Sequence, residues 1–404
     1  MTDLIIEQAR SYFDALVKSR FIEMFSCIDL SAQKSDWIPI CKVGTILTGS
    51  TPKTNEPSYW GGNLKWIAPA ELTSDSFIIE NTERKITEEG RRSCTLNLLE
   101  PGVVLLSSRA PIGKVAIVGS EMYCNQGFKN IKCSSDLNNV YLYVLLKNNT
   151  EYLNSLGRGA TFKEISAKIV ENIRIPVPPI DLQNQFVEFF KQVDKSKVIF
   201  EKEVARYDDL IKSRFIEMFG NLDINDKHWE ISTIGESAKI PLHYGSTASA
   251  VDYDAETRYV RITDIDSDGK LNDDFKSPSR YDSAYLLNKG DILFARSGSV
   301  GITYLFDEDY KSIFAGYLIR FIPDTKKLDP EFAYQFTRSS YCQGILIGNK
   351  RGGVQKNVNA KQLSAIPIPL PPMDLQKEFV EFVHQVDKSK LMLFESLKNI
   401  APNN

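Results

Sequence analysis

The chain has 404 residues, 49 Lys and Arg against 52 Asp and Glu, and a formal net charge of −3. This length allows two to four domains with sizeable cores, and the acidic balance excludes a general nucleic-acid coat, so any nucleic-acid binding must come from local patches. No apolar run approaches the roughly 20 residues needed to cross a bilayer, and the charged first segment is unlike a signal peptide. The six Cys are scattered without a C-x-x-C pair, so we expect a cytoplasmic protein with reduced thiols.

The chain repeats parts of itself. The segment KSRFIEMF at 18–25 recurs letter for letter at 212–219, an offset of 194 residues. A second pair, 175–197 and 366–390, shares a proline-rich start followed by Asp-Leu-Gln, with an offset of 193 from the common Pro-Pro onward. Identity over eight residues is too long for chance, so the sequence contains an internal repeat.

A single helix is predicted from Asp181 to Phe219. It follows a group of prolines that force extended backbone, and Asp181 suits the positive end of the helix dipole. These 39 residues contain neither Pro nor Gly, which corresponds to roughly 58 Å of helix. Apolar spacings of four and three predict an antiparallel helical partner. The predicted seam is Leu182, Phe186, Phe189, Val193, Ser196, Phe200 and Tyr207.

The two chain ends supply the partner helix. Residues 373–397 match the first part of the central helix, and residues 4–25 match its second part. We therefore predict an α+β fold: two globular mixed α/β domains separated by long antiparallel coiled-coil helices, in a pseudo-twofold cyclic repeat opened within a helix. The predicted segments are 1–26 (N-terminal helix), 27–177 (first domain), 178–220 (central helix), 221–370 (second domain) and 371–404 (C-terminal helix).

The two middle segments share almost no identity, although the helical segments are nearly identical. This contrast indicates that the helices meet the same partner twice while the domains meet different ligands. Gene conversion confined to the helical segments is the alternative explanation.

Both middle segments read as strands and turns with a few helices. SSRAPIG at 107–113 and ARSGSVG at 295–301 place Arg109 and Arg296 at strand-to-turn corners, and we predict that these two positions are equivalent. Arginine there suits guanine or phosphate recognition, although pairing with a nearby acid would look the same. Trp60 and Trp66 are interpreted as core residues in preference to base-stacking groups.

Basic and aromatic residues in the two middle segments are the candidate nucleic-acid contacts. Part of them lies between Glu331 and Asp374, a span without Asp or Glu that could also be a solvated face. The candidates are Lys53, Tyr59, Lys65, Arg109, Lys114, Lys129, Arg158, Arg258, Arg261, Arg296, Arg320, Lys350, Arg351 and Lys356.

Motifs for catalysis are not found. DIDSDG at 264–269 begins like a calcium loop, but Phe275 stands where the twelfth position needs Glu. The Pro-Pro pairs are followed by Ile180 and Met373, where an adenine methyltransferase motif has an aromatic residue, and the three His are far apart. We expect no catalytic residue and no metal site in this chain.

Taken together, these features resemble the specificity subunit of type I restriction-modification systems. They are the two unlike domains, IPVPPIDLQ at 175–183, the repeated KSRFIEMF, TGSTPKTNEPSYWGG at 48–62 and SSRAPIGKVAIV at 107–118. The similarity covers essentially the whole chain. One departure is a helical piece of about 25 residues before the first domain, a stretch that the family pattern often lacks.

The resemblance implies a non-catalytic protein that reads double-stranded DNA, each domain recognising one half of an asymmetric bipartite site. It implies helices that dock two adenine-methylating modification subunits, together with restriction subunits that carry a nuclease and a translocase. S-adenosylmethionine, ATP and Mg are then expected on those partners only, with no cofactor here and no membrane partner. A helical protein-protein scaffold without DNA readout is the alternative. The candidate docking residues are Lys18, Arg20, Glu23, Lys212, Arg214 and Glu217.

Overall fold

The computed structural model describes residues 2–109, 111–159, 163–266, 269–298, 300–346 and 357–400. The chain forms two compact units: an N-terminal unit, Ser11–Lys197, and a C-terminal unit, Met1–Arg10 with Val198–Asn404. The α-helices are α1 (Thr2–Phe25), α2 (Ile40–Val43), α3 (Glu88–Arg92), α4 (Asn139–Asn148), α5 (Thr150–Ser155), α6 (Ala167–Asn172), α7 (Ile180–Phe219), α8 (Pro330–Arg338), α9 (Ser340–Leu346), α10 (Ala360–Ser364) and α11 (Met373–Ile400).

The N-terminal unit contains a five-stranded sheet in the order β2-β9-β6-β7-β4, a three-stranded sheet β5-β3-β8, and the pair β1-β10. Helix α4 packs on β6 and β7, and its apolar side chains fill the largest core of this unit. The strands are β1 (Ile38–Pro39), β2 (Gly44–Thr48), β3 (Trp60–Ile67), β4 (Ile78–Ile79), β5 (Arg84–Ile86), β6 (Val104–Leu106), β7 (Val115–Val118), β8 (Tyr123–Cys124), β9 (Lys129–Cys133) and β10 (Arg174–Ile175).

The C-terminal unit contains a four-stranded sheet in the order β12-β19-β16-β17 and the pairs β11-β20, β13-β15 and β14-β18. Helix α8 covers β17 as α4 covers β7 in the other unit. The strands are β11 (Ile231–Thr233), β12 (His243–Tyr244), β13 (Ala250–Asp252), β14 (Arg258–Val260), β15 (Lys276–Pro278), β16 (Ile292–Ala295), β17 (Thr303–Leu305), β18 (Ser312–Phe314), β19 (Leu318–Phe321) and β20 (Pro367–Pro369).

The two units nevertheless share equivalent strand pairs. The parallel pair β3-β8 corresponds to β14-β18, and the antiparallel pair β1-β10 corresponds to β11-β20. Trp66 donates a hydrogen bond to the Ser50 carbonyl at 3.1 Å, and Tyr259 donates to the Ser246 carbonyl at 2.8 Å. A duplicated domain thus persists beneath sequences that share almost no identity.

The long helices pair in the same way in each unit. In the N-terminal unit, Phe21 of α1 meets Phe186 of α7 with ring centres 5.2 Å apart. In the C-terminal unit, Phe215 of α7 meets Phe379 of α11 at 5.4 Å, while Phe200 meets Phe394 at 6.3 Å. Rising numbers on one helix meet falling numbers on the other, so α7 and α11 are antiparallel. The predicted fold class and the long central helix are confirmed.

The predicted seam of α7 is only partly correct. Phe186, Val193 and Phe200 are buried, but Phe189 is half-buried and its neighbour Phe190 is buried instead. Phe190 packs against the ring of Phe77 at 4.8 Å. The helix therefore contacts the body of its own unit as well as a partner helix, so a seam drawn for one partner misses part of the buried face.

The repeated Asp-Leu-Gln motif fastens each long helix to its own unit. Gln183 is fully buried and accepts a hydrogen bond from the backbone N–H of Asn138, the N-cap of α4, at 2.8 Å. Gln376 accepts from the N–H of Asp329, the N-cap of α8, at the same distance. Both Gln side chains also donate to the carbonyl of the first proline of the Pro-Pro pair. A buried amide with all these bonds formed fixes the angle at which the helix leaves the domain.

The segment boundaries predicted from the sequence stay a prediction. The compact units divide α1 and α7 in their middle, whereas the prediction treats the helices as segments of their own. Among the described residues, no helix has the length and apolar character needed to span a bilayer.

Candidate nucleic-acid interface

Polar side chains gather where β6 ends and β9 begins in the N-terminal unit. The N–H of Ser108 donates to the carbonyl of Gly127 at 2.7 Å, which holds the two segments together. The next residue, Arg109, has a side chain that is 35% exposed. Its guanidinium lies 4.0 Å from the Glu164 carboxylate and 3.4 Å from the Asn125 side-chain oxygen. We name this region, with Thr51 and residues 125–127, the corner.

Lys129 lies beneath the corner and supports it. Its Nζ donates to Glu164 at 3.1 Å and to the Ser108 hydroxyl at 3.2 Å, and the residue is buried. A buried ammonium with these bonds made cannot reach a ligand without losing them. The prediction that Lys129 contacts nucleic acid is therefore contradicted, because the residue orients the Glu164 carboxylate beside Arg109.

Two amides complete the corner. Asn125 Nδ2 donates to the Thr51 hydroxyl at 2.8 Å, and Asn125 Oδ1 accepts from the Gly127 N–H at 2.7 Å. Gln126 is exposed, and its side-chain oxygen bonds to the Thr51 hydroxyl. Within the described residues, no hydrogen bond involves the Gln126 side-chain nitrogen. Sequence reasoning missed these residues, although the polar pair next to Gly127 was a usable signal.

The same corner exists in the C-terminal unit, and its register corrects one prediction. The Ile165 N–H donates to the Ser108 carbonyl at 3.0 Å, and the Val358 N–H donates to the Arg296 carbonyl at 2.8 Å. Arg296 therefore corresponds to Ser108, and Arg109 corresponds to Ser297. The predicted equivalence of the two arginines is wrong by one residue. Successive side chains of extended backbone point to opposite faces, so the two arginines differ in direction.

The side chains at this second corner are different. The Arg296 guanidinium lies 4.9 Å from the centre of the Tyr244 ring. Its backbone N–H donates to the carbonyl of Tyr317, whose side chain is 62% exposed. The amide pair of the first corner is replaced by Ala315 and Gly316. One backbone arrangement therefore presents an arginine and amides in one unit, and an arginine with two tyrosines in the other.

Two predicted contacts in the C-terminal unit are buried. Arg258 is 1% exposed, stacks on Phe275 at 4.0 Å and donates to the Tyr310 hydroxyl at 2.7 Å. Arg320 is 4% exposed and forms an ion pair with the buried Asp291. Neither guanidinium is accessible to an external ligand, so both predictions are contradicted by burial.

Three further cations are held by groups of their own unit. Arg261 donates to Asp264 at 3.0 Å and to Asp274 at 2.8 Å, and its hydrogen bond lowers the pKa of Asp274. Lys65 donates to the Ser120 hydroxyl at 2.7 Å. Lys114 donates to the Leu72 carbonyl. These bonds make the three residues weak candidates for ligand contact.

The remaining candidates are accessible or lie outside the described residues. Lys53 and Arg158 are exposed, and Tyr59 is half-buried. The predictions for Lys350, Arg351 and Lys356 fall outside the described residues.

The docking candidates lie on the repeated KSRFIEMF helices. Arg20 donates to Glu23 at 2.7 Å, whereas Arg214 donates to Glu217 at 3.0 Å and to Glu378 of α11 at 2.9 Å, so each arginine is already ion-paired within the chain. Lys18 and Lys212 are both exposed.

An apolar side chain stands beside each exposed lysine. Ile22 is 39% exposed and Ile216, at the same repeat position, is 58% exposed. Sequence reasoning missed this pair, although the letter-for-letter repeat contained it. In the N-terminal unit, Lys18 and Ile22 line a groove of about 900 Å³ with residues of α4, α5 and α7.

Comparison with known proteins gives consistent results. A family model described as type I restriction modification DNA specificity domain matches residues 36–206 and again 226–400. The specificity subunit of type I restriction enzyme MjaIX from Methanocaldococcus jannaschii is 31% identical over 317 residues, covering 70% of this chain and 71% of that protein. The EcoBI specificity subunit from Escherichia coli is 21% identical over 386 residues, covering 87% and 74%.

A solved structure supports the fold. A chain from a study of complex assembly and conformational transition of the type I R-M system aligns with a TM-score of 0.56 at 16% identity, covering 90% of this chain and 93% of that one. The two matched halves agree with the duplicated architecture, and the scaffold alternative without DNA recognition is not favoured. The chain belongs to the family of type I restriction-modification DNA specificity proteins.

Proposed function

We propose that each unit reads one half of an asymmetric bipartite DNA site through its corner, while the long helices hold two adenine-methylating modification subunits. One observation carries this proposal: the same backbone corner occurs in both units with different side chains. Two unlike half-sites can be recognised by one duplicated backbone arrangement if the side chains at the corner differ between the two units. The family membership supports the general role, and the shared corners support our proposal for its location.

The chemistry of the two corners suits base edges. In the major groove, arginine pairs with guanine and side-chain amides pair with adenine. The N-terminal corner offers Arg109, Asn125 and Gln126, whereas the C-terminal corner offers Arg296 flanked by Tyr244 and Tyr317. The exposed Lys53 and Arg158, with Lys350, Arg351 and Lys356, are proposed to contact backbone phosphates, which fix register without reading sequence.

The docking surface is proposed to be the repeated exposed face of α1 and α7. Lys18 with Ile22 and Lys212 with Ile216 present one cation and one apolar side chain twice, which fits two copies of one partner. The ion-paired Arg20, Glu23, Arg214 and Glu217 are proposed to border these contacts. Catalysis, S-adenosylmethionine, ATP and Mg belong in this proposal to the modification and restriction subunits.

The test is to express the chain with a cognate modification subunit and map methylated adenines in the host genome. We expect a bipartite motif with unlike halves. Exchanging residues 228–367 for the corresponding domain of a relative is expected to change one half and leave the other intact. A well-formed complex that methylates nothing new would overturn the proposal, and a change in both halves would overturn the division of labour.

Docking can be tested separately by counting bound subunits. We expect Ile22→Glu and Ile216→Glu each to remove one of two modification subunits, because losing the apolar contact and desolvating a carboxylate costs more than about 1.4 kcal/mol, a factor of about ten in affinity. The double variant is expected to bind neither, as measured by native mass spectrometry. Ile224→Glu, at a loop position that is 72% exposed, is the matched control. Full occupancy in the double variant would contradict this surface.

A further inference from the structure

Arg84 stands on an aromatic platform in the N-terminal unit. It begins β5 and pairs with Trp66 of β3 across the strands. Its guanidinium carbon lies 3.6 Å from the centre of the Trp60 ring and 5.3 Å from that of Trp66. The two rings are perpendicular, 5.1 Å apart. A guanidinium stacked on tryptophan is attracted to the ring face, which fixes its plane.

The edge of this guanidinium is open. Arg84 is exposed, and within the described part of the chain its guanidinium donates no hydrogen bond and forms no ion pair. Arg258 offers a contrast: it is also stacked, 4.0 Å from the centre of the Phe275 ring, but it donates to Tyr310 and to the Asn272 carbonyl and is buried. A stacked arginine with open in-plane donors is prepared to bind an anion without reorganising.

The platform adjoins the corner through one short segment. Trp66 donates to the Ser50 carbonyl and Trp60 to the Lys53 carbonyl, both at 3.1 Å. Between these two residues, Thr51 bonds to the corner amides. The two tryptophans therefore contact the loop that contains Thr51, and Arg84 stacks on the ring of Trp60.

We propose that Arg84 binds a DNA backbone phosphate next to the bases read by the N-terminal corner. This proposal rests on the DNA-reading role proposed above and adds the residue that fixes the duplex at the margin of that surface. Trp60 and Trp66 hold the arginine in place and do not stack on bases: Trp66 is 1% exposed, and the face of Trp60 is occupied by Arg84. A phosphate contact contributes affinity that is independent of sequence and sensitive to salt.

Arg84→Gln and Lys85→Gln form a matched pair of variants. Both remove one exposed positive charge from β5, but Lys85 pairs with Lys65 on the opposite face of the strand. In the complex with modification subunits, we expect Arg84→Gln to weaken binding of a fluorescent duplex of arbitrary sequence about tenfold. The slope of log affinity against log salt should decrease by about 0.9, the value for one phosphate. Lys85→Gln should stay within about twofold, and the methylated motif should not change in either variant.

Arg84→Lys separates charge from geometry. It keeps the charge but loses the planar fork, so we expect a wild-type salt slope with intermediate affinity. A change in the near-UV circular dichroism of Arg84→Gln would mean that this substitution disturbs the packing of the two tryptophans. In that case Arg84→Lys still tests the proposal. Equal binding by Arg84→Gln and Lys85→Gln would overturn the proposal, and so would a changed motif with an unchanged slope, which indicates a base contact. A wild-type complex that binds no duplex would overturn the proposed function and this inference with it.

Discussion

Replacing Arg320 by Met is expected to lower the free energy of unfolding by about 3–5 kcal/mol. Arg320 and Asp291 are 4% and 2% exposed and form an ion pair inside the C-terminal unit. Removing the guanidinium leaves the Asp291 carboxylate buried without its counter-charge. Urea denaturation followed by circular dichroism measures the loss. The half-site read by this unit should not change, because Arg320 does not reach the surface.

The loss in this variant should depend on pH in a defined direction. Burial already raises the pKa of Asp291 above its ordinary value of 3.8, against the opposing influence of Arg320. Without Arg320 the folded-state pKa rises further. A raised folded pKa favours folding at low pH and loses that contribution as the pH rises through it. The deficit should therefore be largest at neutral pH and shrink as the pH falls toward the range where Asp291 is protonated.

The control for this prediction removes both charges. Arg320→Met with Asp291→Leu replaces the ion pair by apolar groups, and such a replacement is often neutral or stabilising. The double variant should recover most of the lost stability and show a flatter pH dependence. A single variant as stable as the wild type at pH 7 would contradict the structural role of the pair.

The burial of Arg320 and Arg258 could not be predicted from the sequence, for a physical reason. All four residues of β19 are buried, and all three of β14, which contains Arg258, are buried as well. Strands covered on both faces do not show the alternation that marks an exposed side. From the sequence alone, a cation in such a strand is predicted to be a surface group. The burial of Arg320 and Arg258 becomes clear only from the ion pair with Asp291 and the stacking on Phe275.

The helices were predictable because their signals are local. Absence of Pro and Gly from Asp181 to Phe219, with prolines just before, is enough to place α7. The identical KSRFIEMF segments indicate equivalent surroundings, and Phe21 and Phe215 do occupy equivalent aromatic clusters.

The corners could not be derived in the same way. Aligning Ser-Ser-Arg with Ala-Arg-Ser on the arginine shifts the strand by one residue, and only hydrogen bonding across the sheet fixes the register. Asn125 and Gln126 carry no charge, so a pattern of basic residues does not indicate them. Base recognition by side-chain amides needs no charge, so a search guided by cations finds phosphate contacts more readily than base contacts.

Replacing Arg109 by Ala is expected to relax recognition at one position of one half-site by about 5- to 150-fold, the discrimination that about 1–3 kcal/mol per bidentate pair supplies. Arg109 lies between Glu164 and Asn125, so its guanidinium is oriented yet still 35% exposed. The measurement is the methylation of duplexes randomised at every motif position. Arg296→Ala should relax the other half-site, because it belongs to the second corner.

Arg92→Ala is the matched control for Arg109→Ala. The Arg92 side chain is 76% exposed, lies outside the corner and is 4.0 Å from the Glu88 carboxylate. Arg92→Ala therefore removes the same charge from the same unit without altering a base contact. Uniform weakening at all positions in Arg109→Ala would identify a phosphate contact and contradict base reading. Relaxation of both half-sites by one substitution would contradict the separation of the corners. Relaxation of one half-site by each substitution would show that a duplicated frame recognises an asymmetric site because the side chains of its two corners diverged on one backbone arrangement.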